Sequence, residues 1–492
     1  MTDTPAARFS PSETRSIVGG LMLIILLGAL DQTIVSVSLP QMTRDLGGVS
    51  MLAWVVAGYL VASTVATPVY GKLGDLYGRR MLLTIAVVIF LLASIGCALA
   101  QSMPMLILAR VLQGVGGGGL ISTAQAIVGD VVPLRERGRY QGYISVVYAV
   151  ASVGGPVLGG YLTHLLSWRW VFWINLPLGA VALWAARRAL KRLPVPGIRL
   201  PIDYIGALLL TGGLSLLLVA ITRVGQGVPL LAAQTLWLLG AALALLALFI
   251  RHEHHTVEPL VPLDLFRIRT VWTGCAILFI SFFQVVALSV LVPYGMQTLD
   301  GIGPDQAALQ LIAFSLAIPL GAFISGRWML HSGRYKPLQI VGTGMLPLAM
   351  LTLAYLGPHA ALGTSMALAV AGVATGMTMP TSLVAVQNAV PQKNIGIATA
   401  MTALFRSMGG AVGVAVLSSI LFAMLHADAG VALGEGGANT VAAASTGSAS
   451  TAFRVTFLCG AIVSLLAHFL AWMIPEKSLR AGAPAAPETA KA

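Results

Sequence analysis

Fourteen times the chain runs for about 20 residues almost without a charge, and no other feature limits its fold as severely. A run of that length crosses the hydrocarbon core of a bilayer as a helix, because inside lipid every backbone N–H and C=O must find its partner within the segment. The candidate spans cover residues 17–39, 51–70, 81–100, 104–128, 141–163, 169–189, 204–222, 230–250, 271–295, 306–328, 338–356, 361–384, 397–424 and 452–474. The fold class that follows is an all-α integral membrane protein. Composition agrees: 57% of the 492 residues are hydrophobic and 9% are charged, against about 25% charged in ordinary soluble domains. The first apolar run is too long for a signal peptide and is followed by many others, so it reads as a retained span.

The net charge of +12 is not a nucleic-acid footprint, since the basic residues stand between apolar runs rather than on one face. It is a topology signal. An even number of spans puts both ends of the chain on one side of the bilayer. Lys72, Arg79, Arg80, Arg135, Arg137, Arg139, Arg187, Arg188, Arg327, Arg334 and Lys336 all lie on that side, whereas the opposite ends carry Arg44, Arg169, Arg223 and Arg454. By the positive-inside rule both termini are expected in the cytoplasm.

Two segments expose the internal organisation. The second and third spans are joined by GKLGDLYGRR at 71–80, and the tenth and eleventh by GRWMLHSGRY at 326–335. Overlaid, Gly71 meets Gly326, Lys72 meets Arg327, Gly78 meets Gly333 and Arg79 meets Arg334, while Leu330 stands where Asp75 would be matched. Both segments read as short loops. Their repetition predicts two related six-helix bundles, with two central helices inserted between them. The expected limits are a cytoplasmic tail at 1–16, a first bundle at 17–190, the inserted pair at 203–251, a second bundle at 271–475 and a disordered tail at 476–492.

Within the spans one acid stands out. Asp31 lies in the run 21–39 and is the only carboxylate deep inside any span, a placement that costs roughly 2.5–3.5 kcal/mol on the insertion scale. Such a group is expected to carry a charge or a proton. Arg110 and Arg406 are the only deep cations. Counted from the outer ends of their spans, Asp31 and Arg110 share a depth of roughly 9–14 Å at about 1.5 Å per residue, so they can pair directly, through Gln113, or through water. A neighbouring cation favours the charged carboxylate and burial disfavours it, and that competition lets a buried acid take up and release protons. Arg406 has no deep acid in its own half; it faces either anionic or carbonyl groups of a substrate, or backbone carbonyls near Gly409 and Gly410. A cavity lined by Gln32, Tyr59, Gln113, Gln125, Asn175, Gln284, Tyr294 and Arg406 would be mostly apolar and suited to lipophilic guests.

The segment 71–80 resembles the loop signature of the major facilitator superfamily, and LDQTIVSVSLP at 30–40 looks like the first-span motif of its fourteen-span drug:proton antiporters. ARVLQGVGGG at 109–118 resembles the fourth-span motif of proton-driven members, and GPVLGG at 155–160 the fifth-span antiporter motif, with Ala151 in place of its usual earlier glycine. WRWVFWINLPLG at 168–179 and EPLVPLDLF at 258–266 are also typical of the fourteen-span group. The resemblance implies a proton-coupled antiporter that exports amphipathic drugs and monovalent cations across the bacterial cytoplasmic (inner) membrane. A dedicated exporter of one metabolite or lipid is the alternative, and a receptor or enzyme is disfavoured because no clustered intramembrane chemistry or sensing domain is visible. It further implies that Asp31 and Arg110 couple the proton, and that Gly71, Gly74, Asp75, Gly78 and Arg79 latch the two bundles. Gly155, Pro156, Gly159 and Gly160 would shape the helix that prevents proton leak.

No cofactor is expected; the proton gradient is the energy source. The glycine run at 116–119 is not followed by Gly-Lys-Ser/Thr, and the cluster His252, Glu253, His254, His255 lacks metalloprotease spacing, so neither a nucleotide nor a metal is implied. Cys97, Cys275 and Cys459 each fall in an apolar run, which points to packing rather than a disulfide framework. The expected partners are small amphipathic molecules, protons and the lipid bilayer. The functional unit is expected to be a monomer, with room for a periplasmic adaptor protein.

Overall fold

The computed structural model describes residues 10–47, 51–132, 134–190, 203–225, 228–256, 259, 261–299, 304–356, 361–429, 446–476, 478 and 479. Most of the expected disordered tail at 476–492 lies outside the described residues, as do residues 1–9 and 430–445. The first bundle contains α1 (Pro11–Leu46), α2 (Leu52–Tyr77), α3 (Arg79–Ala98), α4 (Met103–Val131), α5 (Leu134–Leu165), the single turn α6 (Trp170–Trp173) and α7 (Asn175–Ala189). Then come α8 (Tyr204–Gly225) and α9 (Ala233–Glu253), followed by α10 (Arg269–Leu299), α11 (Pro304–Ser332), α12 (Lys336–Leu356), α13 (Ala361–Ala389), α14 (Ile395–Ala429) and α15 (Thr446–Met473). Among the described residues these give 14 spans long and apolar enough to cross a membrane, with α6 and α7 forming one of them. The fold is all-helical: two six-helix bundles and an inserted pair.

Local chemistry explains where helices begin and turn. α1 starts six residues before the expected 17, because Ser10 and Glu13 form a reciprocal capping box around Pro11: Glu13 N–H donates to Ser10 Oγ at 3.2 Å and Ser10 N–H to Glu13 Oε2 at 2.8 Å. The segment expected as a loop at 71–80 is not one. α2 continues to Tyr77, and the chain turns at Gly78 alone, whose φ of 93° suits a residue without Cβ. The matched segment behaves alike, with α11 running to Ser332 before Gly333 takes φ 65°. Gly71 and Gly326 therefore serve contact rather than turning. Gly71 lies against Gly396 and Ala400 of α14, and Gly326 against the Gly138 backbone of α5.

The halves repeat one plan. α4 packs against α2 and α3, as α13 packs against α11 and α12. α5 lies on α1 through Gly155 and Gly159, which seat on Thr33 and Ile34; α14 lies on α10 through Gly409 and Gly413, which seat on the Phe279 and Phe283 backbone. Two glycines four residues apart flatten one helix face and allow such close approach. Across the seam the equivalents exchange, α5 meeting α11 and α14 meeting α2. The inserted pair packs on itself and then on one side of this seam. Leu210, Leu214 and Leu218 of α8 join Val65 of α2 and Ile397, Met401 and Leu404 of α14 in one buried apolar cluster. At its foot, His252 Nε2 lies 2.8 Å from Asp203 Oδ1.

Candidate functional site

Asp31 and Arg110 meet directly. Arg110 Nη1 donates to Asp31 Oδ2 at 2.6 Å, and the two side chains are 0% and 1% exposed. Four helices build the surroundings. From α4, Gln113 Nε2 donates to Asp31 Oδ1 at 2.8 Å, and its Oε1 accepts from Arg110 Nη1 at 2.7 Å. From α7, Asn175 Nδ2 donates to Asp31 Oδ1 at 2.9 Å. Ser94 of α3 accepts from Gln113 Nε2 at 2.8 Å and from Asn175 Nδ2 at 3.3 Å. Arg110 Nε also donates to the Val55 carbonyl of α2 at 3.2 Å, and its guanidinium lies 4.3 Å from the centre of the Tyr59 ring. Gln113, Asn175 and Tyr59, expected along the cavity, thus surround the ion pair. The spacing Arg110–Gln113 is i,i+3 on one helix, which is why one face presents both a cation and an amide to Asp31.

A carboxylate taken from water into hydrocarbon is tolerable only when paired and hydrogen-bonded. Here both carboxylate oxygens are engaged, three donors serve them, and one of the three is a cation. The arrangement has one removable charge on each side. Adding a proton to Asp31 leaves Arg110 as an uncompensated buried cation held by a carbonyl, an amide and an aromatic ring.

Next to Asp31 along α1, Thr33 Oγ1 donates to the Ala151 carbonyl of α5 at 2.8 Å. Gly155 and Gly159 seat on Thr33 and Ile34, while Gly160 is half-buried. Pro156 falls within α5, but its side chain lies outside the described residues. The contact between α1 and α5 thus begins two residues from Asp31.

The second polar assembly joins the bundles at the end where α2 finishes and α14 begins. Asp75 Oδ2 accepts from the Ile397 N–H at 3.1 Å, so the carboxylate caps the first turn of α14, where the helix dipole favours a negative charge. Its other oxygen pairs with Arg79 Nη2 at 2.8 Å, and Arg79 Nη1 reaches Asp130 Oδ2 at 2.5 Å. Gly74 lies beside Arg79. Arg137 of α5 bonds the Gly129 carbonyl and donates to Gln387 Oε1 of α13 at 2.9 Å; Gln387 Nε2 donates to Thr399 Oγ1 of α14 at 2.9 Å. Asp130, Arg137 and Gln387 escape a reading of the sequence that assigns terminal basic residues to topology alone. The signal available was an acid, Asp130, at the end of a span flanked by arginines.

The other candidates scatter. Gln284 is fully buried and donates to the Gly460 carbonyl at 2.6 Å, tying α10 to α15 rather than lining a cavity. Gln32 is half-buried beside Asp31. Tyr294 falls within α10, with its side chain outside the described residues. Arg406 borders a cavity of about 10 Å³ between the bundles, room for a single water, together with Gln125, Leu278, Met379, Leu383, Thr402 and Ala403. That is smaller than the roughly 300–1,000 Å³ of pockets enclosing drug-sized ligands.

The family model for the Major Facilitator Superfamily matches residues 21–414. An uncharacterized MFS-type transporter of Mycobacterium tuberculosis is 32% identical over 486 residues, covering 96% of this chain and 71% of that protein. The multidrug transporter protein MdtP of Bacillus subtilis is 33% identical over 414 residues, 83% of this chain and 76% of its own length. Among solved structures, the proton:xylose symporter XylE superposes with a TM-score of 0.63 at 18% identity, covering 96% of this chain and 98% of that one. With its two bundles, its inserted pair and these relatives, the chain belongs to the major facilitator superfamily of membrane transporters.

Proposed function

We propose that this chain is a proton-coupled antiporter exporting lipophilic and amphipathic compounds, drugs and monovalent cations among them, across the cytoplasmic membrane by alternating access. One observation carries the reading: a fully buried carboxylate, Asp31, balanced by a single cation, Arg110, inside a shell of neutral donors. Such a pair has two stable arrangements, ionised with Arg110 bound and neutral with Arg110 released. The similarity to MdtP, itself named a multidrug transporter, supports the cargo class.

The positive-inside bias supports a cytoplasmic position for the end bearing Asp75 and Arg79. The clamped state described above is then the outward-facing one. A proton entering from outside neutralises Asp31 and frees Arg110, and the strain passes through Thr33 and Ile34 into α5. The far end of α5 holds α11 through Gly138 and Gly326, so a shift of α5 loosens the clamp and opens the cavity inward. Proton release to the cytoplasm restores the pair as cargo is taken up.

Asp31→Asn is the decisive variant. It resembles the neutral carboxyl in shape, with one acceptor oxygen and one donor, but cannot exchange a proton. In inverted vesicles it should insert and fold normally yet lose transport driven by a pH gradient. Wild-type-like active transport by this variant would move the coupling site elsewhere, with Asp75 next in line.

A further inference from the structure

Protonating a buried carboxylate creates a hydroxyl that needs an acceptor. The neighbours of Asp31 are arranged for its ionised form: Gln113 Nε2, Asn175 Nδ2 and Arg110 Nη1 all donate to it, at 2.8, 2.9 and 2.6 Å. Both donors to Oδ1 are amides. An amide presents donors at one end and an acceptor at the other, and turning it over about its last side-chain bond exchanges the two without needing room. Which of the two can turn is decided by what its carbonyl oxygen already holds.

Gln113 is locked. Its Oε1 accepts from Arg110 Nη1 at 2.7 Å and from Cys97 Sγ at 3.5 Å, so a turned Gln113 would aim its N–H groups at the guanidinium. Asn175 is not locked. It is 0% exposed, and its Oδ1 has no hydrogen-bond partner among the described residues. A buried carbonyl without a donor is uncommon in native structures and calls for a reason. Ser94 Oγ, the other acceptor of Asn175 Nδ2 at 3.3 Å, sends its own hydrogen to the Phe90 carbonyl at 2.9 Å. That hydroxyl can rotate toward a turned Asn175. The charged and titratable groups facing Asp31 are Arg110 of α4, Cys97 of α3 and Tyr59 of α2, with Tyr148 of α5 beyond Tyr59. Arg110 offers donors alone, Cys97 directs its thiol to Gln113, and Tyr59 lays its ring face on the guanidinium.

We propose that Asn175 is the positioning residue for the neutral state of Asp31: when the carboxyl takes a proton on Oδ1, the Asn175 amide turns over and its Oδ1 accepts that O–H. This role rests on the reading of Asp31 as the coupling group. The hydrogen bonds balance between the two states. With Asp31 ionised, Asn175 Nδ2 gives two hydrogen bonds and its carbonyl receives none. With Asp31 neutral, the carbonyl receives two, from Asp31 and Ser94, and Nδ2 gives none. The states differ by one proton and the sense of one amide, while Gln113 goes on holding Arg110. The turned amide gives the neutral carboxyl a partner inside hydrocarbon, so the proton stays on Asp31 until Arg110 returns. A leucine at 175 would fill a similar volume and serve neither state.

The test is infrared difference spectroscopy on the full-length protein in nanodiscs, stepped from alkaline to acid pH, with heavy carbon in the side-chain amide of asparagine. Asp31→Asn and Asn175→Leu assign the bands. In the wild type an Asp31 carboxyl band should appear on acidification. The Asn175 carbonyl band should move to lower frequency in step with it, because a carbonyl that gains a hydrogen bond is weakened. Asp31→Asn should show neither change. Asn175→Leu should keep the carboxyl band at a higher frequency, the mark of a hydroxyl without an acceptor. Transport driven by a pH gradient should fall at least ~10-fold in Asn175→Leu, the range for hydrogen bonds to a charged group. An Asn175 band that moves as far in Asp31→Asn, or wild-type transport by Asn175→Leu, would overturn the proposal. An Asn175 band that stays fixed while Asp31 takes its proton, with coupling still lost in Asp31→Asn, would overturn it and leave the export reading standing. Absence of any Asp31 carboxyl band, down to the pH at which the helical signal is lost, would defeat the export reading and the proposal together.

Discussion

At the scale of single residues, the chemistry is concentrated where a charge stands in hydrocarbon. Removing one partner of a buried, hydrogen-bonded pair costs about 3–5 kcal/mol because the other is stranded, so neither Asp31 nor Arg110 is a neutral place to substitute. In Arg110→Ala the carboxylate stays buried without its cation. Proton release triggered by substrate, followed with a pH dye in detergent, should be lost in this variant, and transport should fail. Wild-type proton release would show that coupling does not need Arg110. Asp31 and Arg110 could be picked out in the sequence because charge and depth single them out, and Gln113 because it stands three residues from Arg110 on the same span. Asn175 and Ser94 could not be assigned to them, since polar residues of different spans give no sign of sharing a depth and a facing.

At the scale of elements, close approach governs the seams. Gly155 and Gly159 of α5 seat it closely on α1, and Gly409 and Gly413 of α14 seat it closely on α10, while each of the two helices also meets the other half. The inserted pair belongs to this level. Leu210, Leu214 and Leu218 recur every four residues along α8, and all three are buried against α2 and α14. Each Leu→Ala change in a packed core costs about 2 kcal/mol or more, and the cost is set by how far the site can collapse. Replacing all three with alanine should lower the unfolding temperature of the purified protein and raise hydrogen exchange in residues 395–404. A protein of wild-type stability would mean that α8 merely rests on the seam. The repeated segments 71–80 and 326–335 show where an element-level reading of sequence fails. Glycine suggests turns, but two of the matched glycines lie inside helices, where the neighbour they admit belongs to the other bundle.

For the whole molecule, the constraint is charge. One deep carboxylate can exchange for one proton or one cationic charge at a time. Moving a charge across the membrane is worth about 2.3 kcal/mol per 100 mV. Monovalent cations exchanged for one proton should therefore respond to the pH gradient alone, neutral amphiphiles to voltage as well, and a monoanion to about twice that voltage dependence. These slopes can be read in liposomes by setting membrane potential and pH gradient separately. Rigid divalent cations should be handled poorly, because no second deep acid neutralises them. Efficient proton-driven export of a long divalent cation would refute the single-carboxylate account.

The sequence by itself determined the class of the molecule, the number of its spans and the side on which its basic residues gather. Those properties depend on lipid as a solvent, which acts on each segment separately and tolerates few alternatives. It also singled out Asp31 and Arg110, because a charge in hydrocarbon is conspicuous wherever it lies. Only the tertiary structure decided which neutral side chains serve that pair and that Asp75 caps α14 across the seam. It alone showed that Gln125 and Arg406 border one small cavity from opposite bundles. Each of these facts joins residues far apart in the chain through the rotation and depth of packed helices, and neither quantity is written in the composition or period of any one span.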